Sequence, residues 1–192
     1  KKARILAEAL TLFSTQGYVA TSLADIARAS DISKAGLLHH YSSKDQLLAA
    51  VLDERDRRTI VRLPRADAGA AAALDAWVEM VSHNQRHPDG VALYTAMSAA
   101  VIDATHQAHP WFRQHLMDAI AYLTSAFEHG KQTGEVREEA PSEQIARRLV
   151  ALSDGLQVQW LCSRAQGGPT INMHEVMAGV VVDLKERWLL DS

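Results

Sequence analysis

Apolar residues recur every three to four positions along most of this chain, the period of helices that turn one face inward. Ile5, Leu6, Ala9, Leu12 and Phe13 form the first such stripe, and Gly17 stops it. This predicts a helix over Lys2–Gln16. Ser22 then reads as an N-cap, with Asp25 three residues on and Leu23, Ile26 and Ala27 facing inward. Asp31 suits a tight turn, because Asp tolerates a left-handed backbone. Ser33 caps a third helix from Lys34 to about Tyr41, anchored by Leu37 and Tyr41. Ser43-Lys44-Asp45-Gln46 reads as a capping box that opens a fourth helix. Pro64 marks its end.

The remainder divides at its helix breakers. One helix is expected from Ala66 to His87, stopped by His87-Pro88-Asp89-Gly90, and the next from Val91 to about Thr105. Pro110 and Pro141 each sit at a helix start, for helices ending near Gly134 and Gln166. Gly167-Gly168-Pro169 breaks the chain before a last helix, about Asn172 to Leu190. Val180-Val181-Val182 comes nearest to a strand, but it lies inside a helical stripe. The expected fold class is therefore all-α, with about nine helices.

Composition narrows this only slightly. With 47% hydrophobic and 22% charged residues the chain is an ordinary globular sequence. No apolar run is long enough to cross a membrane and no secretory signal is read, so a cytoplasmic location is expected. The lone Cys162 has no internal disulfide partner, and its apolar neighbours suggest plain packing. Charge is more informative. The net −3 conceals ten Lys/Arg against seven Asp/Glu up to Arg62, and ten against sixteen beyond it. A basic first third on an acidic body is what a protein shows when one end meets phosphate.

Two short helices joined by a tight turn make a helix-turn-helix, whose second helix enters the major groove. The entering face has to be small or polar. Lys34, Ala35, Gly36, His39 and His40 supply such side chains, while Leu37 and Tyr41 point to the core. The plainer readings are that His39, His40 and the lysines are solvated surface groups.

From Ile5 to Val51 the chain resembles the DNA-binding domain of TetR-type repressors. The resemblance is carried by Leu12-Phe13, Gly17-Tyr18, Thr21-Ser22-Leu23-Ala24-Asp25-Ile26-Ala27, Ile32-Ser33-Lys34, Leu37, His39-His40-Tyr41, Ser43-Lys44 and Leu47-Leu48. It implies a helix-turn-helix DNA-binding domain over 1–50 and a ligand-sensing and dimerisation domain over 51–192. It further implies that Thr21, Ser22 and Lys44 hold phosphates and that Lys34, His39 and His40 meet phosphates or base edges. Ala35 and Gly36 fall at the closest approach to the bases. The family usually has Gly where this chain has Asp31, and Tyr where it has Leu38. The partners implied are double-stranded operator DNA, a second copy of the chain and an unidentified small-molecule effector, with no membrane, metal or cofactor.

The body is less specific. Asp154-Gly155-Leu156-Gln157-Val158-Gln159-Trp160-Leu161 resembles the subtype that includes choline-responsive repressors, but analogy at that level does not specify a ligand. The family pairs its last two helices across a dimer. Here the expected interface residues are Leu149, Leu152, Leu156 and Trp160 on one helix, and Met177, Val180, Val181, Leu184 and Trp188 on the other; ordinary core packing is the alternative. Trp77, Met80, Tyr94, Met97, Trp111, Tyr122 and Phe127 are the bulky candidates to line an apolar pocket. His83 and His87 have zinc-compatible i, i+4 spacing but no third ligand nearby in sequence. An enzyme is the competing class, and no nucleophile–base pair or phosphate loop supports it.

Overall fold

The computed structural model describes residues 1–60, 63–100, 103–165 and 170–190. Among these run nine α-helices: α1 (Lys2–Gln16), α2 (Leu23–Ala29), α3 (Lys34–His40), α4 (Lys44–Ile60), α5 (Ala70–Gln85), α6 (Pro88–Ala100), α7 (His109–Thr133), α8 (Ser142–Ala165) and α9 (Met173–Trp188). A 3-10 turn covers Ala66–Ala68. The all-α class holds, and extended pairing is limited to an isolated antiparallel bridge between Val136 and Leu189 among the described residues.

The chain folds as two compact units, one of Lys1–Arg58 with His87–Phe112, the other of Thr59–Arg86 with Arg113–Ser192. The division runs through α4 and does not follow the 50/51 boundary expected from sequence. The reason is apolar burial. Leu93, Tyr94 and Met97 of α6, with Ala108 and Phe112, join the cluster formed by Ile5, Phe13, Ile26, Leu37, Leu47 and Leu52. Removing these side chains from water is what holds α6 to α1. In the second unit, Leu74, Trp77 and Val81 of α5 are buried, as are Phe127 of α7, Leu149, Leu156 and Trp160 of α8, and Met177 and Val181 of α9. The Trp77 indole donates to the Ser153 hydroxyl at 3.0 Å, which itself donates to the Leu149 carbonyl at 2.9 Å.

Three helix limits differ from the sequence expectation. Ala66 to His87 is not one helix, because Gly69 adopts φ 98° and separates the 3-10 turn from α5. Gly69 offers no capping side chain, so α5 takes its cap from afar. The Glu135 carboxylate accepts from the Ala70 and Ala71 amides at 2.9 and 2.8 Å. A Cβ on Gly69 would lie 2.5 Å from that carboxylate. Pro88 opens α6 rather than ending α5: its missing N–H is harmless in a first turn, and Asp89 follows it there. Finally, α6 stops before Thr105, whose amide and hydroxyl both donate to Asp103. The break at Gly167-Gly168-Pro169 and the helix end at Gln166 lie outside the described residues.

Candidate nucleic-acid interface

Helices α2 and α3 are each fixed by their own first residues. Ser22 closes a full capping box: its hydroxyl accepts from the Asp25 amide at 3.2 Å, and its own amide donates to Asp25 at 3.1 Å. The Ser22 hydroxyl, which donates to the Asp25 carboxylate at 2.6 Å, and then the Ser22 amide hold the Asp25 carboxyl below the usual carboxylate range, with a smaller contribution from the Arg28 guanidinium at 2.6 Å. Asp31 makes the turn with φ 58°. Its amide donates to Arg28, and the Ile32 amide reaches back to Ala27. The Ser33 hydroxyl caps α3 by accepting from the Gly36 amide at 3.0 Å. A Cβ on Gly36 would sit 3.2 Å from that hydroxyl, so glycine gives the cap room.

Leu37 and Tyr41 are buried as expected. Lys34, Ala35, Leu38 and His39 are exposed, whereas Gly36 and His40 are half-buried. His39 and His40 meet edge to face, with ring centres 5.8 Å apart. Ser22 remains exposed beside its capping box. The structure thus brings together on one surface most of the residues expected to meet DNA.

Two of the expected residues, Thr21 and Lys44, make intrachain contacts. Thr21 is buried, and its hydroxyl donates to the Gly17 carbonyl at 2.8 Å and the Leu12 carbonyl at 3.2 Å. It ties the end of α1 to the following turn and does not face outward. The Lys44 ammonium donates to the carbonyls of Tyr18 at 2.9 Å, Thr21 at 3.0 Å and Val19 at 3.4 Å. It also lies 4.4 Å from the Tyr18 ring centre. Lys44 therefore braces the α1–α2 turn, because carbonyls with no helical partner attract a cation more closely than solvent does. The Tyr18 hydroxyl donates to Asp45, and burial first, then this carboxylate, raises the phenol's pKa. Sequence reasoning assigned no role to Tyr18 or Asp45; the signal was their place in Gly17-Tyr18 and in the first turn of α4. The capping box expected at Ser43 is only half formed. Ser43 accepts from the Gln46 amide at 3.0 Å, but the Gln46 side chain accepts from the Ser42 amide at 2.5 Å.

The residues expected to line a pocket are divided between the two units. Tyr94, Met97 and Trp111 belong to the core of the first unit. There the Arg55 guanidinium stands 4.4 Å from the Tyr94 ring, and the Trp111 indole donates to Asp53 at 2.8 Å. Trp77, Met80, Tyr122 and Phe127 belong to the second unit, where Trp77 and Phe127 are buried. A separate groove of about 460 Å³ is formed by Arg65, Ala66, Asp67, Ser125 and His129.

Of the residues expected at a dimer interface, Leu149, Leu156 and Trp160 of α8 are buried within the chain, as are Met177 and Val181 of α9, whose face packs on α5 and α8. Leu152, Val180, Leu184 and Trp188 are half-buried. Exposed apolar side chains lie on the opposite faces: Val158 at 48%, Val176 at 41% and Val182 at 52%. Cys162, expected to be packed, is exposed.

Among the described residues, no helix is long and apolar enough to cross a membrane. Residues 5–51 match the family model described as bacterial regulatory proteins, tetR family. Over 46 residues, 24% of this chain, it is 44% identical to the biofilm operon icaADBC HTH-type negative transcriptional regulator IcaR of Staphylococcus epidermidis. The match covers 25% of that relative, so the chain spans about a quarter of the length of the curated proteins it resembles. Likeness in fold extends much further. The structure of Salmonella enterica GusR matches with TM-score 0.75 and 25% identity, covering 96% of this chain and 95% of that one. A putative transcriptional regulator from Saccharomonospora viridis, solved in complex with choline, matches with TM-score 0.73 and 20% identity over 99% and 98% of the two chains.

Proposed function

We propose that the chain is a TetR-family DNA-binding transcription regulator that binds a palindromic operator as a homodimer, represses from it and is released by a small molecule. The exposed face of α3 carries this reading. It is held by a cap at one end and by buried Leu37 and Tyr41 beneath, so it can enter a major groove as a rigid element. Lys34 and His39 meet phosphates or base edges, with His40 beside them, and Ser22 meets a phosphate near the start of α2. Ala35 and Gly36 let the helix approach closely. Thr21 and Lys44 act from behind, fixing the turn that positions α2.

One such helix reads few base pairs, so specificity calls for two copies at half-sites about 34–36 Å apart. The outward face of α8 supports pairing. Ala151, Val158 and Cys162 are exposed on it and Gly155 half-exposed, at spacings of four, three and four residues. That is the seam spacing of helices that pack on one another. A Cβ on Gly155, or on Gly179 of α9, would meet open space, leaving room for a close partner helix.

An effector site in the second unit is supported by polar atoms that find no partner among the described residues. The Tyr122 and Thr124 hydroxyls and the Gln157 side-chain oxygen are buried without hydrogen-bond partners. Such groups are rare in native interiors and call for water or a ligand. The choline of the Saccharomonospora protein is not carried over, since likeness at that identity concerns the fold. An effector that favours a second arrangement of the dimer shifts the population away from DNA by its differential affinity.

The test is selection from a random duplex pool with purified protein at two salt concentrations. An enriched palindrome with steep salt dependence is expected. The absence of any enriched sequence would overturn the operator reading. Val158→Asp is expected to give monomers by sedimentation and to abolish binding to the two-site duplex; retention of the dimer would remove α8 from the interface.

A further inference from the structure

We propose that Leu38, with Ala35 beside it, reads thymine methyl groups, so that the operator half-site is defined at one or two positions by apolar contact. This rests on the reading of α3 as the groove-entering helix. Leu38 is 39% exposed, while the neighbouring Leu37 is wholly buried. A single exposed leucine is common and means little by itself. Its position is what matters. At 100° per residue, Lys34, Leu38, Ala35 and His39 follow one another across an arc of roughly 140°. Each of the four is exposed. The face therefore has an ammonium at one edge, an imidazole at the other, and two apolar side chains between.

The centre of that face comes closest to the base edges, and its edges come closest to the phosphate walls. Among the groups that base pairs present in the major groove, the thymine C5-methyl is the apolar one; the others donate or accept hydrogen bonds. An aliphatic side chain pressed against amino or carbonyl groups would strip their water and return no hydrogen bond. The Leu38–Ala35 patch therefore favours thymine and disfavours the other bases at the positions beneath it. Gly36 cannot compete for this role, since it has no side chain and lies half-buried against the Ser33 cap.

Deoxyuridine lacks only that methyl, so it isolates the contact. Each thymine of the selected duplex is replaced in turn by deoxyuridine, symmetrically in both half-sites, and affinity is measured with wild-type protein, Leu38→Ala and Leu38→Met. Loss of one buried methyl corresponds to about fourfold per contact. With two half-sites, wild type is expected to lose about fifteenfold at one or two symmetric positions. Leu38→Met is expected to keep that sensitivity and Leu38→Ala to lose most of it. An unchanged thermal midpoint shows that each variant is folded. Uniform tolerance of deoxyuridine by wild type would overturn the inference, as would an equal loss in wild type and Leu38→Ala. Salt-dependent binding to the unmodified duplex is read in the same experiment. Its absence would sink the operator reading, and the role of Leu38 with it.

Discussion

Helices α2 and α5 begin in opposite ways. The first turn of α2 is satisfied by Ser22 and Asp25, three residues apart. The first turn of α5 is satisfied by Glu135, which stands 65 residues further along the chain. The same turn of chain also fastens α9: the Glu135 carbonyl accepts from Leu190, and the Arg137 amide donates to the Trp188 carbonyl. A cap supplied by the next turn needs no other part of the chain, whereas a cap supplied at a distance is present only when its unit has folded. The start of α2 is thus fixed by local contacts and the start of α5 by a long-range one.

The largest expected effect falls on the distant cap. Glu135→Ala leaves two α5 amides without a charged acceptor and is expected to cost about 3 kcal/mol in urea unfolding, since hydrogen bonds to charged groups contribute about 1.5–3 kcal/mol each and α5 can fray in part. An effect no larger than that of Ser22→Ala would break the contrast between the two helix starts.

Lys44→Met comes next, at about 2 kcal/mol against the first unit, because three carbonyls lose one cation. The slope of log affinity against log salt is expected to stay unchanged. A slope shallower by about one would make Lys44 a direct phosphate ligand instead.

Ser22→Ala is expected to cost about 1 kcal/mol, the usual worth of an N-cap. It should act on α2 alone and leave hydrogen exchange of α5 untouched.

The smallest effect concerns acid stability. Hydrogen bonds from Arg57, then Arg58, lower the Glu54 carboxyl from 4.5 to about 2. A carboxyl lowered by folding contributes stability that is complete above its ordinary value and is lost as pH falls from about 4.5 toward 2. Because both arginines are mostly solvent-exposed, screening keeps the contribution small. Glu54→Gln should flatten the stability profile in that window only. An equal acid-induced loss in both proteins would assign it to other carboxylates.

Residue by residue, the recognition element was the most legible part of the chain. Gly17, Ser22, Asp25, Asp31, Ser33, Leu37 and Tyr41 occupy the places that their chemistry indicated. Lys44 was ambiguous in sequence, because an ammonium at a helix start suits a phosphate and a set of backbone carbonyls equally well. Only the path of the chain from Gly17 to Thr21 distinguishes them. Leu38 stands out in sequence only as a departure from the family's Tyr, and its exposure is visible only in the fold.

The sequence by itself determined the helices and most of their ends, because caps, breakers and a 3.6-residue period act within a turn or two of the chain. Tertiary structure decided what each apolar stripe covers. The stripe of Met173, Met177, Val180, Val181, Leu184 and Trp188 announces burial but does not name its partner. The fold buries its centre beneath α5 and α8 and leaves Val158, Val176 and Val182 outward. Hydrophobic burial has no direction of its own, so periodicity shows that a face must leave water, and only the neighbours supplied by distant parts of the chain show where it goes.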